Sequence, residues 1–104
     1  MNIKLENYLS KNKVTIFSRT YCDSCQKAKE IIRNHGLSLQ IHEVDLNEVT
    51  SEILNDLYKK SKYKRFPNIF IGRESIKGLK QLESLIESGE FQALINRHQI
   101  ERVN

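Results

Sequence analysis

The sequence predicts an α/β chain with a mixed four-stranded sheet and helices on both faces. Three observations carry this. Early strand-like runs alternate with helical periodicity, the pattern of right-handed βαβ crossovers and a parallel strand pair. Two short β-type runs then meet at a glycine-containing turn, which adds antiparallel strands. Leucine-rich helical segments close the chain, so apolar faces exist for both sides of a sheet. The chain has 104 residues, 38% of them hydrophobic. That fits a single domain spanning 1–104 with a modest core.

The elements follow in order. "MNIKLENYLSKNK" alternates lysines with Ile3, Leu5 and Leu9 and reads as a short amphipathic helix. It lacks the apolar stretch of a signal peptide. No apolar run approaches the ~20 residues of a membrane span. A cytoplasmic location without membrane association is therefore expected. "KVTIF", Lys13 to Phe17, is β-branched and aromatic and reads as a buried strand. Ala28, Ile31, Ile32 and His35 then recur at helical spacing, with Gly36 as the stop. "LSLQIHEV" alternates through Leu37, Leu39 and Ile41 as a second strand. "TSEILNDLYKK" places Ile53, Leu54, Leu57 and Tyr58 on one helix face, with Thr50 or Ser51 as cap. "FPNIFIG" is a third strand beginning at Pro67, the only proline. "GRES" is turn-like, and "ESIK" returns as a fourth strand. "GLKQLESLIESG" turns Leu79, Leu82, Leu85 and Ile86 inward and ends at Gly89. "EFQALINRH" adds a last helix through Phe91, Leu94 and Ile95.

Charge narrows the partners. The net charge is +4, which favours anionic or acidic ones. "YKKSKYKRF" interleaves five basic residues with aromatics, a composition that can bind single-stranded nucleic acid. A solvated helix end accounts for Lys59 and Lys60, and part of this positive rim, Lys64 especially, is expected to face a functional groove and attract carboxylates, so nucleic acid is not expected.

The two cysteines, Cys22 and Cys25, stand in "RTYCDSCQKAKEII" at a strand-to-helix junction. A helix start offers unpaired N–H groups and a partial positive charge, and both favour a thiolate at Cys22. Cys25, one turn on, is placed to attack a mixed disulfide formed there. Structural zinc normally needs four ligands, and His35, His42 and His98 show no paired spacing. A permanent disulfide closing so short a loop adds little stability. In a reducing compartment, strand, Cys-x-x-Cys and helix together favour a redox pair, with Cys22 as nucleophile and Cys25 as resolving thiol.

Nearly end to end, the chain resembles a glutaredoxin of the thioredoxin superfamily, in the dithiol class. "VTIFSRTYCDSCQKAKEII" is similar to the family's strand, basic residue, Cys-Pro-Tyr-Cys and helix. "KRFPNIFIG" resembles Thr-Val-Pro and its strand, and "SIKGLKQLESLIESGEFQALI" resembles the Ile-Gly-Gly turn with two closing helices. The resemblance implies the thioredoxin/glutaredoxin fold, a cis bond before Pro67, and thiol–disulfide oxidoreductase activity through a Cys22–Cys25 redox disulfide. It implies a monomer with glutathione as electron donor and no resident metal. Its substrates would be glutathione mixed disulfides or disulfide-containing proteins. Glutathione would be held by Arg19, Tyr21, Lys64, Phe66, Pro67, Gly78, Leu79 and Lys80. Arg19 and Lys64 would take the glycine carboxylate, and the helix start after Gly78 the γ-glutamyl carboxylate.

Four departures modify these expectations. Lys77 replaces the first glycine of the pair. Lys80 and Gln81 occur where members carry an Asp for the γ-glutamyl ammonium. Ser24 and Asp23 replace the tyrosine and proline between the cysteines. The expectation is glutathione held mainly by its carboxylates, and more weakly than in an ordinary member. Asp23 is expected to oppose the thiolate form of Cys22. Two alternatives follow from the same departures. One is a hydrogen donor to ribonucleotide reductase, reduced by thioredoxin reductase. The other is a glutathione-ligated [2Fe–2S] cluster carrier.

Overall fold

The computed structural model describes residues 4–46 and 49–103. Strands β1 (Val14–Ser18), β2 (Leu39–Glu43), β3 (Asn68–Ile71) and β4 (Glu74–Lys77) form one sheet in the order β2-β1-β3-β4. β1 and β2 are parallel, joined by helix α1 (Asp23–Asn34). β1 pairs antiparallel with β3, and β3 with β4. Helices α2 (Ser51–Ser61), α3 (Leu79–Ser88) and α4 (Glu90–Arg97) complete the α/β fold.

Strand alternation sorts the core onto two faces. Val14, Ile16, Ile69 and Ile71 point to one side, where Ala28 and Ile32 of α1, Leu82 of α3 and Phe91, Leu94 and Ile95 of α4 meet them. Phe17 and Phe70 point to the other, against Ile53 and Leu57 of α2 and the N-terminal Leu5 and Leu9. Both phenylalanines are fully buried. Removing each from water contributes roughly 1.5–3 kcal/mol. With covered faces and paired edges, β1 is buried at all five positions, Thr15 and Ser18 included, as "VTIF" anticipates for a buried strand.

Some boundaries differ from the sequence reading. The N-terminal segment holds one 3-10 turn, Leu5–Tyr8, and the predicted helix does not extend from it; Ile3 lies outside the described residues. So short a segment gains too few hydrogen bonds to offset helix nucleation. Its spacing still brings Leu5 and Leu9 into the core. β1 runs one residue later than "KVTIF". β2 starts at Leu39, because Leu37 bridges Arg102 instead and Ser38 donates its N–H to the Glu101 carbonyl at 2.9 Å. Thr50, not Ser51, caps α2, accepting the Ile53 N–H at 3.2 Å. At the β3–β4 turn Gly72 has φ +60, and a Cβ there would lie 2.9 Å from the Lys11 carbonyl oxygen. Only glycine fits that turn without strain.

Candidate active site

β1 delivers the chain to the loop Arg19–Tyr21, and Cys22 caps α1 in an extended conformation. Its Sγ accepts the Cys25 N–H at 3.1 Å, the task a Ser or Asp oxygen performs at other helix starts. Cys22 is partly exposed, whereas Cys25 is fully buried. Burial, reinforced by a hydrogen bond to Cys22, pushes the Cys25 thiol up to about 12. Cys25 therefore keeps its proton at rest, and Cys22 is the sulfur open to a disulfide.

The loop is fastened from β2's end of the sheet. Asp45 accepts the Thr20 N–H at 3.0 Å and the Thr20 hydroxyl. That hydroxyl, above all, holds the Asp45 carboxyl below its ordinary value. Arg19 lies over the Phe66 ring, 4.6 Å from its centroid, a cation–π contact that joins the loop to the segment before β3. Tyr21 is 75% exposed beside Cys22. On α1, one turn beyond Cys25, Lys29 is buried and pairs with Glu43 at 2.6 Å. The other oxygen of Glu43 accepts the Ser18 hydroxyl at 2.7 Å.

From Ser24, two residues beyond Cys22, a groove of about 470 Å³ runs between the Tyr63–Pro67 segment and the start of α3. The Phe66–Pro67 bond is cis, as the resemblance implies. Gly78 caps α3 and donates its N–H to Gln81 Oε1 at 3.1 Å. The remaining N–H groups of the first helical turn have no intrahelical acceptor. A Cβ at Gly78 would overlap the outer end of the Tyr63 ring, so the glycine lets that ring close on the start of α3. Tyr63 is itself anchored: its N–H donates to Ser61 Oγ at 3.2 Å, and Asn68 Nδ2 donates to its carbonyl at 2.9 Å.

Of the residues singled out in the sequence, Phe66, Pro67, Leu79 and Lys80 line the groove, with Ser24 at its cysteine end. Arg19 and Tyr21 sit on the adjoining loop, and Asp23 is exposed at the first position of α1. Lys64 lines a different cleft, with Asn55, Tyr58 and Lys59. Arg65, not Lys64, provides the basic wall of the groove. Lys77 likewise lines a separate cavity between β4, α3 and α4, so it does not crowd the groove. Sequence reasoning missed Tyr63, Arg65 and Glu83. Glu83 had a usable signal, since it stands four residues after Leu79 and so shares its helix face. Tyr63 and Arg65 lie in a loop whose period orients nothing.

Three comparisons with known proteins bear on the family and the fold. A sequence model of the family described as "Glutaredoxin" matches residues 14–76. Glutaredoxin-2 of Schizosaccharomyces pombe is 32% identical over 91 residues, covering 88% of this chain and 83% of its own length. The solution structure of the dithiolic glutaredoxin 2-C-Grx1 of Trypanosoma brucei brucei superposes with a TM-score of 0.79 at 26% identity, covering 91% of this chain and 97% of its own. A buckwheat glutaredoxin–glutathione complex superposes with a TM-score of 0.79 over 92% of this chain and 88% of its own, at 24% identity, a likeness of fold.

Proposed function

The chain belongs to the glutaredoxin family and is a thiol–disulfide oxidoreductase; on that premise we propose that it reduces disulfides through Cys22 and Cys25 with glutathione as electron donor. The observation that carries the reading is a partly exposed, helix-capping Cys22 over a buried, protonated Cys25, with a groove lined by Arg65 and Lys80 reaching Ser24 on the same helix.

Cys22, as thiolate, attacks one sulfur of a substrate disulfide; the other sulfur leaves and takes a proton. Cys25 then gives up its proton and attacks Cys22 Sγ, expelling the second substrate thiol and leaving a Cys22–Cys25 disulfide. One glutathione thiolate opens that disulfide at Cys22, returning Cys25 to its thiol. A second glutathione attacks the first, restoring Cys22 and forming glutathione disulfide. Arg19 and Arg65 suit the carboxylate at one end of the tripeptide, with Lys64 one residue further out. The Leu79 and Lys80 N–H groups suit the carboxylate at the other end. This chemistry belongs in a reducing compartment, and we place it in the cytoplasm.

Turnover of a small disulfide should be supported by glutathione with glutathione reductase. Thioredoxin reductase with NADPH should support it poorly. The reverse outcome, thioredoxin reductase alone sufficing, would favour a hydrogen donor to an enzyme such as ribonucleotide reductase and overturn the glutathione reading.

A further inference from the structure

Glutathione carries two carboxylates and one ammonium, the latter on the γ-glutamyl α-carbon. Arg65 and Lys80 are the cations of the groove, and Phe66, Pro67 and Leu79 share its walls. Among its described lining residues, Glu83 is the sole acid. The family's usual acidic position offers only Lys80 and Gln81, and Gln81 is committed to the Gly78 N–H. Glu83 fills the missing role from a different position on the same helix.

We propose that Glu83 receives the α-ammonium of the γ-glutamyl arm, exchanging Lys27 for it when glutathione docks. The inference rests on the glutathione reading above. Two observations support it beyond the charge inventory. First, an α-carboxylate and its ammonium leave one carbon, so their receptors must be neighbours. The Leu79 N–H begins α3, and Glu83 follows four residues later on the same face, the two Cβ atoms about 6 Å apart by helix geometry. Second, Glu83 Oε2 lies 3.4 Å from Lys27 Nζ, with side chains 44% and 61% exposed. Glu83 is thus already matched to an ammonium, and a pair so exposed is weak enough to be exchanged.

The consequence is selectivity for disulfides whose γ-glutamyl arm retains its amine. The test uses the reduced protein in single turnover, with its own dithiol as the electron source. Its substrates are the mixed disulfide of glutathione with 2-mercaptoethanol and the same disulfide lacking the α-amine. Wild type should react about two- to fivefold faster with the amine-bearing compound, the range of a half-exposed ion pair. Glu83→Gln should erase that preference while retaining the reaction with the deaminated compound. Lys27→Ala should enlarge the preference by freeing Glu83. A preference unchanged in Glu83→Gln, or no preference in a wild type that reacts with both, would overturn the proposal and leave the thiol–disulfide reading intact. No reaction with either compound would overturn both.

Discussion

Cys22 and Cys25 share one helix start yet face different surroundings. Cys22 caps the helix in partial contact with solvent, and Cys25 sits in the core beneath it. That difference has a consequence for stability. Burial first, then the hydrogen bond with Cys22, raises the Cys25 thiol from 9.0 to about 12. The native state therefore holds a proton that the unfolded chain releases. Its stabilisation is complete below about pH 9 and is lost as pH rises towards 12. In urea melts between about pH 8 and 11, wild type should lose more stability than Cys25→Ala. Equal losses would show that Cys25 does not carry the effect. The pair itself was legible in "TYCDSC" because two cysteines at that spacing and junction have few other uses. The groove was less so. Lys64 and Arg65 are adjacent and chemically alike, and only the turn before the cis Phe66–Pro67 bond decides which one lines it.

At the scale of elements, two joints position the site. Lys29 ties α1 to the end of β2 through Glu43, with both side chains largely buried. Glu43→Gln leaves the Lys29 ammonium in the core without a counter-charge, at a cost of about 3–5 kcal/mol in equilibrium unfolding. Replacing both at once, Lys29→Met with Glu43→Leu, should recover most of that loss. A fully stable Glu43→Gln would mean that Lys29 escapes to solvent. The second joint is β4 to α3. The sheet register shifts there, and Lys77 adopts φ +69, a left-handed conformation that costs a side chain about 1 kcal/mol or more. Lys77→Gly should raise stability by about 1 kcal/mol in urea titration; a loss would show that contacts of the lysine outweigh the strain. Sequence patterning located both elements because β-branched runs and leucine spacing report burial directly. It could not report the buried Lys29, since a lysine on an amphipathic helix reads as solvated until its partner strand is in place.

Across the whole molecule, the sheet separates two apolar layers and brings together the Cys22 loop, the Phe66–Pro67 segment and the start of α3. These pieces are far apart in sequence, and the order β2-β1-β3-β4 is what brings them together. The fold was readable because each local pattern agreed with it. The charge layout was not, because it depends on which face each basic residue takes. Lys77 turns away from the groove while Arg65 and Glu83 turn towards it. The central claim is that Cys22 exchanges thiols with glutathione held in that groove, and that Cys25 completes the exchange. It is tested most directly by mixing reduced Cys25→Ser with glutathione disulfide and measuring the intact mass. One glutathione should be bound at Cys22 and released by further glutathione. An unmodified protein, or an adduct that forms no faster than on a small free thiol, would contradict it.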